Sequence, residues 1–530
     1  MTENAEIGWT GGHNPWVIAL VVTLATFMEV LDTSIANVSL PHIAGSLSVT
    51  ADESTWILTS YLVSNAVVLP VSGWVATRIG RKRFYMTCVA GFTASSLLCG
   101  LAPSLPLLIF FRVLQGAAGG GLAPSEQAIM ADTFPPAKRG MAFAVYGMAV
   151  VLAPAIGPTL GGFVTDHYSW RWIFFVNVPV GIVSLLLTAR IVSDPPYLRA
   201  LRGRAGPIDF LGFALIAIGL AAMEVVLDKG REDNWFESPF ITVFSIVGGV
   251  ALVTFVWRAR RSDSPIVDVH LFRNRNFAAA SFMMLALGLV LYGSTVLLPQ
   301  YLQIVMGYSA QQAGMVLSPG GLVVMVLMPL VGALTPRVNP RILIGFGFAA
   351  LSASMFYMTS HLYPGIDFRT ALELRAYQSV GLAFLFVPIN TVIYEGIPPE
   401  KNNQVSGIVN LARNMGGDIG IAFVTTMAAR RAQFHQARLT EHMSPYDHPF
   451  AAMLDAVTHA VERAGVSSAA AAHRAVAVLY RETIIQAITL AYLDVLRAFA
   501  LMTAAMIPFL WLARRGADAA APARPATAPP

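Results

Sequence analysis

Two carboxylates, Glu29 and Asp32, stand in the stretch FMEVLDTSIANVSLP, which is otherwise mostly apolar. An ionised side chain at the centre of a lipid-facing helix costs about 2.5 to 3.5 kcal/mol even on the lenient insertion scale, so acids kept there are expected to do chemistry. The chemistry open to them is uptake and release of a proton, or pairing with a cation. Three residues apart, both fall on one side of a helix, and that side is expected to line a cavity. Arg112, in RVLQGAAGGG, is the obvious counter-charge. The first and fourth apolar runs cross in opposite directions and place Asp32 and Arg112 about six residues inside the same boundary. Arg112 can therefore offset the charge of Asp32 until a proton or another cation competes; the plainer alternative is a purely structural ion pair. Further charges in apolar runs are Glu224, and Arg413 with Asp418 in LARNMGGDIG. Their five-residue spacing puts Arg413 and Asp418 on different faces of a helix and so with separate partners.

These residues must be held by membrane helices. Of the 530 residues, 55% are hydrophobic and 12% charged, about half the charge of a soluble domain. Apolar runs of about 20 residues recur along the chain, each able to cross about 30 Å of hydrocarbon. About fourteen spans are predicted, at 16–38, 53–73, 84–102, 106–130, 140–165, 170–191, 208–228, 238–259, 277–300, 311–335, 340–360, 372–395, 405–428 and 487–512. The class is all-α and polytopic. The start, MTENAEIGWTGGHNP, carries no basic and short apolar leader, so it is expected to stay in the cytoplasm. With an even number of spans both termini share that side, and the loops there hold Arg78, Arg81, Lys82, Arg83, Lys138, Arg139, Arg199, Arg202, Arg204, Arg258, Arg260, Arg261, Arg273 and Arg275. The opposite loops are poor in Lys and Arg, which fixes the orientation by the positive-inside rule. The net charge of +5 is thus a topology signal and not a nucleic-acid footprint. Cys88 and Cys99 lie about 16 Å apart along one helix, too far for a disulfide. A long outer loop, 429–485, with alanine-rich helical stretches, holds His435, His442, His448, His459 and His473 in no zinc-like spacing; they are expected to be solvated surface histidines, with no metal site.

The second span ends PVSGWVATR and the tenth PLVGALTPR, both reading P-x-x-G-x-x-x-x-R. That repeat predicts two homologous halves with a cavity between them and rocking of one against the other. The expected division is residues 1–205 for an N-terminal six-helix half, 206–276 for an inserted helix pair, and 277–530 for a C-terminal six-helix half carrying the 429–485 loop. In GWVATRIGRKR, Gly73 and Gly80 permit a tight inner turn, and Arg78, Arg81 and Lys82 can reach helix C-termini or acids of the other half, as gating residues. In GMAVVLAPAIGPTLGG, Gly147, Pro154, Gly157, Pro158, Gly161 and Gly162 remove backbone bonds and side-chain bulk, predicting a hinge or seal. The triple glycine after Arg112 is no phosphate cradle, because no G-K-[ST] follows; close helix packing explains it.

Taken in order, LDTSIANVSLP, GWVATRIGRK, RVLQGAAGGG, the GPTLGG region and WRWIFFVNVPVG resemble the motifs of the fourteen-span drug:proton antiporter subfamily of the major facilitator superfamily, most closely its EmrB-like exporters. The resemblance covers nearly the whole chain. It implies proton-driven export of amphipathic compounds by alternating access, with Asp32 at the family's first-span acid and Arg112 at its fourth-span arginine. It also implies an inner-membrane location, a periplasmic adaptor and an outer-membrane channel as partners, and no cofactor beyond the proton gradient. Thr77 stands where the inner-loop motif usually has an acid or amide, and Glu29 and Glu224 stand where glutamine is expected; a further titrating group or selection of cationic substrates is the expected consequence. Rival readings are a dedicated exporter of one metabolite on the same scaffold and, from another class, a membrane enzyme or passive channel. No H-E-x-x-H or nucleophile with its base supports an enzyme.

Overall fold

A computed structural model describes residues 12–201, 209–262, 265–441, 443–444 and 446–510. The first eleven residues, Arg202, Arg204, His442 and the end of the last predicted span lie outside that set, as does the side chain of Arg199. The described residues form helices and no strand. In chain order the long helices are α1 (Pro15–Leu47), α2 (Ala51–Ile79), α3 (Arg81–Leu101), α4 (Leu105–Thr133), α5 (Pro136–His167), α6 (Trp172–Ile191), α7 (Phe210–Lys229), α8 (Pro239–Ala259), α9 (Arg275–Ile304), α10 (Ala310–Leu334), α11 (Pro340–His361), α12 (Phe368–Val392), α13 (Asn402–Thr440) and α14 (Ser468–Phe509). Thirteen are apolar enough to cross a membrane by length and composition alone. The fourteenth, α13, is the polar one, because Asn410, Arg413, Asn414 and Asp418 sit along it; its buried residues Val405 to Val424 place it inside the bundle all the same.

Starts are encoded locally. A capping box of Thr50 and Glu53 opens α2, and Ser309 with Gln312 opens α10. Between α2 and α3 the chain turns on Gly80 alone, at φ +95°, a conformation open to glycine at little cost. Gly73 has a different task from the turn predicted for it. It lies one and a half turns inside α2, where a Cβ would sit 2.8 Å from the backbone of Gln404 in α13. Its counterpart in the repeat, Gly332 of α10, packs as closely on Gly140 and Met141 of α5. The repeated glycine thus makes the same contact twice: each half lays its second helix against the fifth of the other.

Small residues set the remaining approaches, as expected where lipid gives helices no hydrophobic drive to associate. Gly416 and Gly420 of α13 let carbonyls of Leu285 and Leu289 come within 2.1 Å of where a Cβ would be, and Gly288 of α9 does the same for Arg413. In α4 the helix loosens at Gly120 and Gly121, which slide against Asn65 of α2 and Cys88 and Phe84 of α3; the triple glycine is a packing device. Cys88 and Cys99 are free and buried.

Two features go beyond the sequence reading. The 429–485 segment is not a loop between spans: α13 runs on to Thr440, α14 begins at Ser468, and an amphipathic helix, His448–Arg463, bridges them. Alanine and other strong helix formers carry both spans out of the bundle without interruption. Within it His435 is no solvated histidine, since its Nε2 lies 2.8 Å from Asp494 Oδ2, beside Arg431. The inserted pair is also unequal. Helix α8 packs on α7 through Gly219, Ala222 and Gly248 and otherwise faces outward. Helix α7 instead enters the seam between α2 and α13. Away from the basic end Lys229 and Asp228 bond Thr55 and Thr59 of α2, while beyond α7 the Trp235 indole donates to Thr426 of α13 at 3.1 Å. At the basic end α2 and α13 touch directly, at Gly73 and Gly407.

Candidate coupling and substrate site

Asp32 and Arg112 form the ion pair that their depth implied, Nη1 to Oδ2 at 2.6 Å. The pair is closed off inside the N-terminal half. Asp32 is 2% exposed and Arg112 0%, and Asp32 Oδ1 also accepts from Gln115 Nε2 at 3.0 Å and Asn177 Nδ2 at 2.6 Å. Arg112 is pinned in turn: its Nε donates to the carbonyl of Ile57 at 3.1 Å, a second bond goes to Gln115 Oε1, and its guanidinium lies 4.3 Å over the Tyr61 ring. Ser96 closes the set behind Gln115. Gln115, three residues after Arg112 and hence on its face of the helix, and Asn177 in the α6 start are the positioning residues that reading charges alone overlooked.

Glu29 does not share that environment, so the two acids do not line one cavity wall together as the three-residue spacing suggested. The 60° between their side chains is enough to send Asp32 toward α4 and α6 and Glu29 toward α2. Glu29 Oε1 accepts from Asn65 Nδ2 at 2.9 Å and the Tyr61 hydroxyl at 3.3 Å; its Oε2 has no hydrogen-bond partner. No cation is within ion-pair distance of it among the described residues; Arg413 of the other half acts on it from further off. A second acid of this kind is Glu126 of α4, fully buried, accepting from Thr23 Oγ1 at 2.7 Å with its Oε2 unpartnered. Glu126 was missed because it lies close to the predicted end of the fourth span, where an acid reads as a boundary residue.

Arg413 meets the N-terminal half through the Tyr146 hydroxyl, to which its Nη1 donates at 2.9 Å. Tyr146 donates to Asn410 Oδ1 at 3.1 Å, and Asn410 Nδ2 to Gln127 Oε1 at 2.8 Å, so a buried polar chain joins α13 to α5 and α4 near Glu126. Asp418 takes another partner, hydrogen-bonding Glu224 of α7. This pairing of acids sets the inserted helix against α13.

At the basic end Arg81 forms a buried ion pair with Asp132 and donates to the carbonyl of Ala128 at 3.1 Å. The acid it reaches belongs to its own half. The link across halves comes from Asn402 of α13, whose Nδ2 donates to Asp132 Oδ1 at 2.8 Å; the Tyr197 hydroxyl donates to Oδ2 at 2.6 Å and lies 3.2 Å from the carbonyl of Pro399. Lys82 reaches the end of α6, donating from Nζ to the carbonyl of Ala189 at 2.6 Å. Arg78 stacks on Trp74, its guanidinium carbon 5.3 Å from the ring centre, and Thr77 turns inward to bond Gly73. Lys401 pairs with Asp268 at 2.6 Å; partial burial opposes the Asp268 charge, but Lys401 and the His270 N–H hold its carboxyl below the usual range. These contacts shut the basic end.

Helix α5 stays continuous through its two prolines. Pro158 has no N–H for the carbonyl of Pro154, and Ser34 of α1 lends its hydroxyl at 3.5 Å. Gly157 makes that possible, since a Cβ there would meet Ser34 Oγ at 2.3 Å, and Gly161 lies against Ile35. Gly147 fits against Met328 and Phe386 of the other half. Gly162 faces open space, so the motif's glycines are not equivalent. We expect Gly157→Ala to cost about 1–3 kcal/mol by overpacking, and Gly162→Ala to be neutral or to gain up to about 1 kcal/mol through helix propensity. Thermal unfolding of the two variants in detergent checks this; equal losses at both positions would refute it.

Two pseudo-related helical halves, an inserted pair, buried acids in the N-terminal half and a polar chain joining the halves define a membrane carrier. The chain belongs to the Major Facilitator Superfamily, whose family model matches residues 22–421, and within it to the EmrB-like branch. It is 37% identical over 431 residues to the multidrug export protein EmrB of Escherichia coli (strain K12), covering 81% of this chain and 83% of that one. It is 34% identical over 505 residues to the fatty acid resistance protein FarB of Neisseria gonorrhoeae, covering 95% and 97%. Among solved structures, the proton:xylose symporter XylE shares the fold with a TM-score of 0.59 at 14% identity, over 95% of this chain and 96% of that one.

Proposed function

We propose that this carrier exports amphipathic toxic compounds in exchange for protons, by alternating access of the two halves, across a cell inner membrane with both termini in the cytoplasm. The observation that carries the reading is Glu29: a half-buried carboxyl held by neutral donors only, beside the inter-half polar chain, which takes or gives a proton without breaking an ion pair. Glu126 lies one step nearer the basic end and offers the next stop. Asp32, locked to Arg112, then serves chiefly as the strut that fixes α1 against α4 and α6. One proton moving down 100 mV and one pH unit yields about 2.3 plus 1.4 kcal/mol, enough for a gradient of several hundredfold, and no nucleotide or other cofactor is called for. The basic loops support the orientation. The names of the relatives, multidrug export and fatty acid resistance, support apolar cargo. The helical extension of α13 and α14, with Phe434, Tyr446, Val476 and Tyr480 exposed, suits a periplasmic adaptor leading to an outer-membrane channel.

The test is transport by purified protein in liposomes under an imposed pH gradient. Glu29→Gln is expected to abolish uphill accumulation while leaving downhill flux. Uphill pumping by that variant at the native rate would overturn the proton role.

A further inference from the structure

The two halves share more than the P-x-x-G-x-x-x-x-R repeat. Arg112 and Gln115 of α4 read R-x-x-Q, and so do Arg375 and Gln378 of α12, the corresponding helix of the other half. In both places the arginine donates from Nη1 to the glutamine Oε1 at 2.7 Å. Both arginines are buried, Arg375 with 5% exposure. The halves then diverge. Where Arg112 meets the carboxylate of Asp32, Arg375 meets only the hydroxyl of Thr295 in α9, at 3.2 Å from Nη2. No carboxylate lies within ion-pair distance of Arg375 among the described residues, and its Nε has no hydrogen-bond partner.

A buried cation without an anion is the arrangement proteins avoid, and in a membrane bundle it marks a ligand path. Arg375 borders a small cavity where the two halves meet. Its other walls are apolar and come from both halves, notably Val150, Pro154 and Ala155 of α5 and Leu291 and Leu317 facing them. Gly320 of α10 keeps the flank of the guanidinium clear, since a Cβ there would lie 3.2 Å from Nε. The mostly apolar walls suit a hydrocarbon tail, and the planar fork of arginine suits a carboxylate more than a point charge would.

We infer that Arg375 is the receptor for the head group of an anionic amphipath, a carboxylate with an apolar tail lying along α5 and α10, which supplies the counter-charge that Asp32 supplies to Arg112. This rests on the export reading and names its cargo class. It places the cargo charge in the C-terminal half, apart from the acids of α1 and α4, so anion and proton occupy separate stations.

Binding to purified protein in nanodiscs, with no gradient present, tests the site independently of proton coupling. Three probes share a twelve-carbon tail: laurate, dodecanol and dodecyltrimethylammonium. The native chain is expected to bind laurate at least tenfold tighter than the other two. Arg375→Gln should lose that tenfold and leave dodecanol unchanged. Thr295→Asp installs the missing carboxylate beside an intact Arg375, and should raise the melting temperature while abolishing the laurate preference, a result that loss of folding cannot imitate. Equal binding of the three probes by the native chain, or an undiminished laurate preference in a folded Arg375→Gln or Thr295→Asp chain, would overturn the assignment. A laurate preference that persists while Glu29→Gln still pumps uphill would sink the proton scheme and leave this site standing.

Discussion

Replacing Asp32 with Asn is expected to destabilise the protein by about 3–5 kcal/mol, because it leaves the guanidinium of a fully buried Arg112 without its anion. The cost does not come from losing one bond. Asp32 accepts from Arg112, Gln115 and Asn177 at once, so the amide would also turn an acceptor into a donor facing donors. Removing the charge from both partners, with Asp32→Asn and Arg112→Gln together, should return most of the stability, since two neutral amides carry no uncompensated charge. The comparison separates strut from proton carrier. If the double variant recovers its melting temperature and retains proton-driven uptake in liposomes, the pair is structural and Glu29 suffices for coupling. A single Asp32→Asn chain as stable as the native one would show that the pair contributes nothing and that the packing argument is wrong.

The second large effect is expected at the basic end. Asp132 receives Arg81, Tyr197 and Asn402 simultaneously, and Asn402 is the member that belongs to the other half. Asp132→Ala removes the hub and strands Arg81, whose side chain is only 2% exposed. Breaking a buried pair costs about 3–5 kcal/mol. Much of that cost falls on the closed arrangement, since opening lets water reach Arg81. A change of 3 kcal/mol shifts a two-state equilibrium by more than a hundredfold. Cysteine pairs placed across α2 and α13 at the basic end should therefore cross-link readily in the native chain and poorly in Asp132→Ala. Asn402→Ala, which cuts the cross-half bond but leaves the ion pair, should show the same loss of cross-linking with little loss of melting temperature. Unchanged cross-linking in both variants would remove Asp132 from the gate.

Much of the scaffold was legible because membrane physics leaves few choices. Apolar length gave the spans, and depth alone matched Asp32 with Arg112. The repeated glycine was legible as a repeat, but its task was not: Gly73 and Gly332 look like turn residues in a linear string and prove to be contacts between helices far apart in the chain. Azimuth was the main loss. Spacing put Glu29 and Asp32 on one side of α1, yet a 60° difference separates a sealed ion pair from a carboxyl facing neutral donors. Glu126 was hidden by its nearness to a span end, and the R-x-x-Q of α12 by the lack of any matching acid in α9. In the 429–485 stretch the alanine-rich helices were legible, but their continuity with the flanking spans was not. Hydropathy reports where lipid ends, whereas helix propensity continues through the alanine-rich flanks of α13 and α14 regardless.

Helix α7 standing between α2 and α13 has a consequence for the symmetry of the carrier. A two-half carrier has two lateral seams where its halves meet, and here one is covered by an extra helix over the part distant from the basic loops. The other, where α5 runs along α10, borders the chamber holding Arg375. The carrier therefore has a built-in left and right that its two-fold ancestry alone would not provide.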